Sequence, residues 1–319
     1  MKSSPRRFVL LTLGLVGLLC GGIAFFNFWV DPYNRFGNNR LGVYISAERE
    51  TKATDVCRYP HNALLLGNSR MGMIQPGQLE GFRFFNAAFG GGTPEEAYYF
   101  LDHFARSQEL VILGVDLGQC DPPSPQGDIF APAGWKSALD NILNIKTVEY
   151  SARTISDHLA GKPSSIRRDG SFDTAGWFKL YDRENPSYLQ WQLDGQKQGC
   201  DRFVCPTRER MSFLAKIAEL LRQRGISCVV VIPPMHEVVA EHLRRSPVAT
   251  AYAEWRRELD SIFPVVVDLS LGSYCVADNF FKSDAVHFKP DVGARMLNQE
   301  VIPVAVKVVK AQPPKRPQP

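Results

Sequence analysis

The chain has 319 residues, of which 45% are hydrophobic, and this content is sufficient for one large α/β domain or two small ones. Its formal net charge is only +4. No stripe of basic residues is interleaved with aromatic ones, and a nucleic acid is therefore not expected as a partner.

The N-terminus predicts a membrane anchor. Residues 1–7 are basic, and residues 8–30 contain no charged side chain. At about 1.5 Å per residue, this segment is long enough to cross a bilayer of roughly 30 Å. It is longer than the apolar core of a secretory signal peptide, and the large Leu19 before Cys20 does not fit a lipoprotein cleavage site. We therefore expect an uncleaved transmembrane helix with residues 1–7 in the cytoplasm.

Two cysteines give an indication of the compartment in which the chain after the anchor lies. Cys200 and Cys205 lie five positions apart in a polar, loop-like segment. A disulfide there would close a small loop and would require an oxidising compartment. The alternative is a pair of unpaired thiols. Together with the basic N-terminus, the cysteine pair favours a single-pass protein of a bacterial inner membrane with its main domain in the periplasm.

The segments on either side of the main domain have loop-like compositions. Residues 31–60 predict a juxtamembrane linker, and residues 311–319 predict a disordered tail. Residues 61–310 then form the main domain. Within it, residues 120–208 are rich in Pro, Gly, Ser and Trp, and only short helical stretches such as 137–160 interrupt them. We interpret this segment as an insertion or cap on the domain.

Five short apolar runs, each followed by turn residues, predict the strands of the main domain. They lack a strict alternation of apolar and polar residues, as is typical of strands buried on both faces of a parallel sheet. Helical patterns between the runs complete a doubly wound α/β fold. The predicted strands are residues 62–67, 82–89, 109–116, 227–234 and 263–270, and the predicted helices are 93–107, 209–225 and 250–262.

Polar residues and glycines collect where the predicted strands end. In an open α/β sheet, ligands bind beyond the carboxyl ends of the strands. The residues that follow the five strands in turn are Ser69 and Arg70, then Asn86 with Gly90, Gly91 and Gly92, then Asp116, then His236, and finally Asp284 and His287.

These residue types together indicate acyl transfer. A serine hydroxyl becomes a nucleophile when a base removes its proton, and a histidine oriented by a carboxylate is such a base. We therefore predict Ser69 as the nucleophile, His287 as the base and Asp284 as its orienting partner. The N–H of Ser69 and one N–H of the glycine block would hold the oxyanion. We also predict that the other residues at these strand ends help to bind the oxyanion or the substrate, namely Arg70, Asn86, Asp116 and His236.

Each signal also has a structural interpretation. Gly-x-Ser after a strand is common turn chemistry, and the three glycines would also allow a helix to pack closely. Asp284 and His287 would equally suit a helix start or two metal ligands, but no nearby His or Cys cluster completes a metal site. We therefore predict neither a metal nor a cofactor. His236, which follows two prolines, is also consistent with a structural histidine whose hydrogen bonds are satisfied within the protein. Asp116 is also consistent with a simple turn residue.

The stretches GNSR and DAVH resemble the SGNH (GDSL-like) hydrolase superfamily. The resemblance implies a flavodoxin-like three-layer α/β/α fold over roughly residues 60–300. It places the nucleophile at Ser69 and the Asp-x-x-His pair at Asp284 and His287, and it maps the glycine block onto Gly91. The family usually carries an asparagine at the end of the third strand, where this chain has Asp116. An ionised carboxylate only accepts hydrogen bonds, so it cannot replace that donor.

The anchored layout is similar to that of membrane-tethered SGNH proteins such as alginate O-acetyltransferases and the D-alanine transfer protein of lipoteichoic acid synthesis. This resemblance implies an O-acyltransferase, with acetyl as the expected group, that modifies a cell-surface polysaccharide beside a membrane-bound O-acyltransferase partner. Trp135, Trp177 and Trp191 of the insertion would help to shape the sugar site. Two alternatives remain: a carbohydrate esterase of the same fold, and a catalytically silent scaffold, which Asp116 favours.

Overall fold

The computed structural model describes residues 5–43, 48–117, 127–130, 139, 142–203 and 208–311. The chain divides into two compact units. The first comprises Met1–Asp55 and Phe130–Ile166, and the second comprises Val56–Ile129 and Arg167–Pro319. The predicted insertion 120–208 is therefore divided between the units, and Cys205, Trp135 and residues 312–319 of the predicted tail lie outside the described residues.

Among the described residues, the strands are β1 Ala63–Leu66, β2 Phe84–Asn86, β3 Leu110–Gly114, β4 Ser227–Ile232, β5 Val266–Asp268, β6 Phe280–Phe281 and β7 Asp284–Phe288. The helices of the same ranges are α1 Pro5–Val30, α2 Glu48–Asp55, α3 Ser69–Gly72, α4 Pro94–Phe104, α5 Ile145–Leu159, α6 Ala175–Tyr181, α7 Pro186–Asp201, α8 Arg208–Gln223, α9 Glu237–Arg245, α10 Ala249–Ile262, α11 Pro290–Met296 and α12 Ile302–Ala311.

The first unit contains the apolar helix and more local structure than a linker. α1 is long and apolar enough to cross a membrane. Directly after it, the carboxylate of Asp31 accepts hydrogen bonds from the backbone N–H groups of Arg35, Phe36 and Asn38, at 2.7, 2.8 and 3.0 Å. These bonds satisfy backbone groups that a loop would leave to water. The described parts of residues 31–60 therefore include a turn held by the Asp31 side chain and the helix α2.

The last turn of α1 is joined to α5 within the first unit. Asn27 is buried, and its amide nitrogen donates to the Ile142 carbonyl oxygen at 2.7 Å. The Asn27 side-chain oxygen accepts from the Ser151 hydroxyl at 2.9 Å. An asparagine at the end of an apolar helix is satisfied in this way by side-chain and backbone partners.

The second unit is built on a five-stranded parallel sheet with the order β2-β1-β3-β4-β5. This is the flavodoxin-like order, in which the chain changes direction between β1 and β3. The predicted doubly wound α/β fold is thereby confirmed. Each of the five strands β1–β5 lies inside its predicted apolar run and is shorter than that run.

Both faces of the sheet are covered, which explains the continuous apolar runs. Ala63 and Leu65 of β1 belong to one buried cluster with residues of α11 and α12. Leu64 and Leu66, which point to the opposite face, are also fully buried. α4 contacts α8, and α8 contacts β4. Side chains of a strand inside such a sheet meet apolar neighbours on both sides, so no polar alternation is expected.

Candidate active site

The first strand ends on a glycine because no other residue fits there. Gly67 has a φ of +137°, which side chains rarely tolerate. A Cβ at this position would lie 2.7 Å from Met71 Cγ and 2.9 Å from the Gly114 carbonyl oxygen. The chain can therefore turn sharply from β1 into α3, and Ser69 becomes the first residue of that helix.

Asn68 and Asn86 fix the turn that presents Ser69. The Asn68 side-chain oxygen caps α3 by accepting from the Arg70 N–H at 3.1 Å. The Asn86 amide donates to the carbonyl oxygens of Met71 and Ile74, at 2.9 and 2.8 Å, and its oxygen accepts from the Ala88 N–H. Asn86 is completely buried. The prediction that Asn86 contacts substrate is therefore corrected, because all its polar atoms hold the backbone beneath the serine.

The structure brings Ser69, His287 and Asp284 together in one hydrogen-bonded chain. The Ser69 Oγ lies 2.8 Å from His287 Nε2, and His287 Nδ1 lies 2.8 Å from Asp284 Oδ2. Asp284 is 1% exposed. Its other oxygen, Oδ1, accepts the backbone N–H groups of Val286 and His287 at 2.8 and 3.1 Å. The two backbone N–H groups bond to Oδ1 and leave Oδ2 to accept from the His287 Nδ1–H, so Nε2 is the ring nitrogen that can accept the serine proton.

The Asp284–His287 pair stands on an antiparallel hairpin that the sequence did not predict. β6 pairs with β7, and the register shifts between Phe280 and Phe281. In a regular strand, two side chains that are three positions apart point to opposite faces of the sheet. The backbone hydrogen bonds to Asp284 turn its carboxylate back toward His287, which brings both groups to one side.

The insertion supplies two contacts that support the histidine and its strand. The Trp177 ring meets the His287 ring edge to face, with 4.5 Å between the ring centroids. The Gln192 side-chain oxygen accepts the Ala285 N–H at 2.7 Å. Sequence reasoning placed Trp177 near the sugar site but did not identify its contact with the predicted base, because that contact joins residues far apart in the chain.

Asp116 belongs to a buried polar cluster on the other side of Ser69. Its Oδ2 accepts from Asn68 Nδ2 at 2.6 Å and from Arg70 Nη1 at 3.3 Å. Arg70 also donates to the Pro234 carbonyl oxygen, and both charged side chains are more than nine-tenths buried. Asp116 therefore joins the ends of β1, β3 and β4. These contacts are those of a positioning residue, and the role of Asp116 in binding the oxyanion or substrate stays a prediction.

The glycine block approaches the end of β1, as its composition predicts. Gly91 has a φ of +63°, and within the described residues neither its N–H nor that of Ser69 makes a hydrogen bond. The Gly92 N–H donates to the Phe89 carbonyl oxygen at 2.9 Å. Of the three glycines, Gly91 and not Gly92 is thus suited to hold an oxyanion with Ser69.

Replacing Gly92 by alanine is expected to destabilise the second unit by about 1–3 kcal/mol. An added Cβ would lie 2.5 Å from the Gly67 carbonyl oxygen and 3.1 Å from that of Phe89, and both are backbone atoms that cannot move freely. Urea denaturation of the purified chain measures the change in free energy of unfolding. Gly77→Ala is the matched control, because no atom lies within 4 Å of its added Cβ. Equal stability of the two variants would contradict the close approach of Gly92 to Gly67.

His236 lies outside the Ser69–His287–Asp284 chain. It caps α9, with its Nδ1 accepting the Val238 N–H at 3.3 Å, and its ring lies 5.3 Å from that of Phe280. Burial lowers the pKa of His236, while the neighbouring Glu237 acts in the opposite direction. These contacts fit the structural interpretation of His236, and its binding role stays a prediction.

The lowered pKa of His236 predicts a loss of stability in mild acid. Below a pH of about 6.5 the unfolded chain binds a proton at this histidine, whereas the folded chain resists it, so the free energy of unfolding falls as the pH decreases. His236→Asn keeps a capping oxygen without the titrating group and should lose less stability between neutral and mildly acidic pH. Tm values measured across this range test the expectation. His158→Asn, at an exposed histidine, should retain the acid sensitivity of the parent.

A cavity of about 420 Å³ lies beside the turn that carries Ser69. Its walls include Asn68 and Arg70, which flank the serine, and Val286, which precedes His287. The opposite wall is α7, where Gly195 and Gly199 leave open space. Two glycines one turn apart keep the helix surface bare, so a bound group has room beside the residues that flank Ser69.

The cavity also contains the thiol of Cys200. Burial raises the pKa of this thiol to about 11, so it is protonated at neutral pH and is not a competing nucleophile. Its predicted partner, Cys205, lies outside the described residues. The disulfide remains a prediction.

No protein-family model matches the chain, and no curated protein matches it. Within the residues that the structure describes, no group of three or more His, Cys, Asp or Glu side chains is placed to hold a metal ion.

Proposed function

We propose that the protein is a membrane-anchored, extracytoplasmic O-acyltransferase of the SGNH type that transfers an acyl group, with acetyl as the first candidate, to a hydroxyl of a cell-surface polysaccharide. The observation that carries this proposal is the continuous chain from Ser69 Oγ through His287 to the buried Asp284. A scaffold protein has no need of a buried carboxylate, an oriented imidazole and a serine hydroxyl in series.

The first half of the reaction forms an acyl-enzyme. Ser69 Oγ attacks the carbonyl carbon of an acyl donor while His287 Nε2 takes the serine proton. Asp284 stabilises the imidazolium that results. The N–H groups of Ser69 and Gly91 face the oxygen that becomes negatively charged. The donor's carbon–oxygen or carbon–sulfur bond then breaks, and His287 returns the proton to the leaving group.

The second half passes the acyl group to the acceptor. His287 removes the proton from a sugar hydroxyl, whose oxygen attacks the carbonyl carbon bound to Ser69. The bond to Ser69 Oγ breaks, the serine oxygen regains the proton from His287, and the sugar ester leaves. Water in place of the sugar hydroxyl would give hydrolysis, so transferase and esterase differ in which acceptor reaches the acyl-enzyme.

The anchor supports a location at a membrane. α1 is apolar enough to cross a bilayer, and the basic N-terminus favours its cytoplasmic placement. We therefore place the second unit in the periplasm of a bacterial cell, where a membrane-bound O-acyltransferase partner would deliver the acyl group across the inner membrane.

Acylation of Ser69 tests this proposal directly. The full chain in nanodiscs is incubated with p-nitrophenyl acetate, and peptide mass spectrometry should detect one acetyl group on Ser69. Oligosaccharides are then added: acetylated sugar indicates a transferase, whereas release of acetate alone assigns an esterase. A folded protein that never acquires the acetyl group would overturn both assignments and favour the scaffold.

A further inference from the structure

A continuous series of aromatic rings leads away from His287. We call Trp177, Tyr181, Tyr188 and Trp191 the aromatic ladder. The centroids of successive rings lie 4.5 Å apart for His287 and Trp177, 5.1 Å for Trp177 and Tyr181, 6.1 Å for Tyr181 and Tyr188, and 5.6 Å for Tyr188 and Trp191. Because each ring meets the next, the series connects the predicted base with the protein surface.

The outer rings of the ladder are nearly parallel. The planes of Tyr181 and Tyr188 differ by 23°, and those of Tyr188 and Trp191 by 28°. The inner three rings are half-buried, whereas Trp191 is 68% exposed. The inner rings therefore offer part of their surface, and Trp191 most of its surface, to a ligand from solvent.

The ladder is fixed to the strand that carries the acid–base pair. Both the N–H and the hydroxyl of Ser283 donate to the Tyr181 carbonyl oxygen, each at 3.0 Å. The Gln192 side chain, next to Trp191, accepts from Ala285. Asp284 thus lies between two residues bonded to α6 and α7, and the rings have a defined position relative to His287. Such preorganisation reduces the entropy lost when a ligand binds.

We propose that the aromatic ladder binds successive sugar units of an extended polysaccharide, with Trp191 as the outermost subsite. This inference rests on the proposed function, in which the acceptor is a polysaccharide. The face of an aromatic ring carries partial negative charge and attracts the C–H groups on the face of a pyranose. The spacing of the rings is comparable to the length of one sugar unit, and the inner end of the ladder brings a sugar hydroxyl to His287.

Binding of oligosaccharides of different lengths tests the ladder without acyl transfer. The full chain with Ser69→Ala is placed in nanodiscs, because sugar-based detergents would compete. Calorimetry measures the Kd for β-1,4-linked oligosaccharides of glucose, N-acetylglucosamine and mannuronate with two and six units. In at least one series, six units should bind about tenfold more tightly than two, as expected for additional stacking subsites.

Variants of Trp191 test whether the tighter binding of six sugar units comes from the aromatic ladder. Trp191→Ala should remove the preference for six units, and Trp191→Phe should retain most of it. Leu180→Ala is the matched control, because Leu180 is an apolar side chain, 67% exposed on α6, that has no ring to stack on a sugar, and this variant should bind like the parent. Equal binding of both lengths in every series, absence of binding, or an equal loss in Leu180→Ala would overturn the inference. If the parent chain still acquires the acetyl group on Ser69 after such a result, the inference about the ladder fails while the proposed acylation of Ser69 stands.

Discussion

Ser69→Ala is expected to abolish acylation by p-nitrophenyl acetate and to lower its turnover by about 10⁴–10⁶-fold. The hydroxyl oxygen that forms the covalent bond is removed, while the hydrogen bonds that position α3 remain, because they come from Asn68 and Asn86. The variant should therefore fold with unchanged stability. Burst kinetics and peptide mass spectrometry measure the loss of acylation, and circular dichroism measures the fold.

Ser212→Ala provides the control for this result. Ser212 is a helical serine whose hydroxyl donates to the carbonyl oxygen of Glu209, at an exposed position on α8. It should acylate like the parent. If Ser69→Ala retained the burst, or if another residue carried the acetyl group, Ser69 would not be the nucleophile.

Asp116→Asn should lower both stability and activity, although it supplies the amide that the resemblance leads one to expect. The amide can replace one accepted hydrogen bond, but it removes the negative charge that faces the buried Arg70. Asp116→Ala removes both, and a buried charge without its partner costs about 3–5 kcal/mol. We expect Asp116→Asn to be intermediate, with slower acylation because the turn at Asn68 is less firmly held.

Denaturation and acylation rates together separate two interpretations of Asp116. If Asp116 were a degenerate oxyanion residue, Asn at this position would restore a donor and raise the acylation rate. If it is a positioning residue, the rate should fall. Asp260→Asn is the control, since Asp260 is 54% exposed and its ion pair with Arg256 should contribute less than about 1 kcal/mol.

The sequence was sufficient to predict the sheet because parallel strands covered on both faces need continuous apolar runs. It also located the serine of the hydrogen-bonded chain, since Gly67 signals a sharp turn at a strand end. Asp284 and His287 were selected by residue type. The hairpin that carries them was missed, because it depends on the pairing of β7 with the two residues of β6 and on hydrogen bonds to Asp284.

Contacts between distant parts of the chain account for the remaining differences. The role of Asp116 depends on Arg70, which lies 46 positions away, and no local pattern reports such a pair. The contact of Trp177 with His287 likewise joins the insertion to the end of the domain. The turn that follows α1 depends on the conformation of Asp31 and Asn34, whose φ angles are +46° and +50°. Composition alone describes such residues only as loop formers.

The bonded asparagine at the end of α1 has a consequence for how the protein can be engineered. Asn27 bonds to Ile142 and Ser151, so α1 and α5 share buried polar groups and the helix is part of the folded first unit. A flexible tether can be exchanged for a lipid anchor or an unrelated helix. Here such an exchange would leave a buried hydroxyl and a carbonyl without their partner, and the grafted protein would lose stability even where it still reached the membrane.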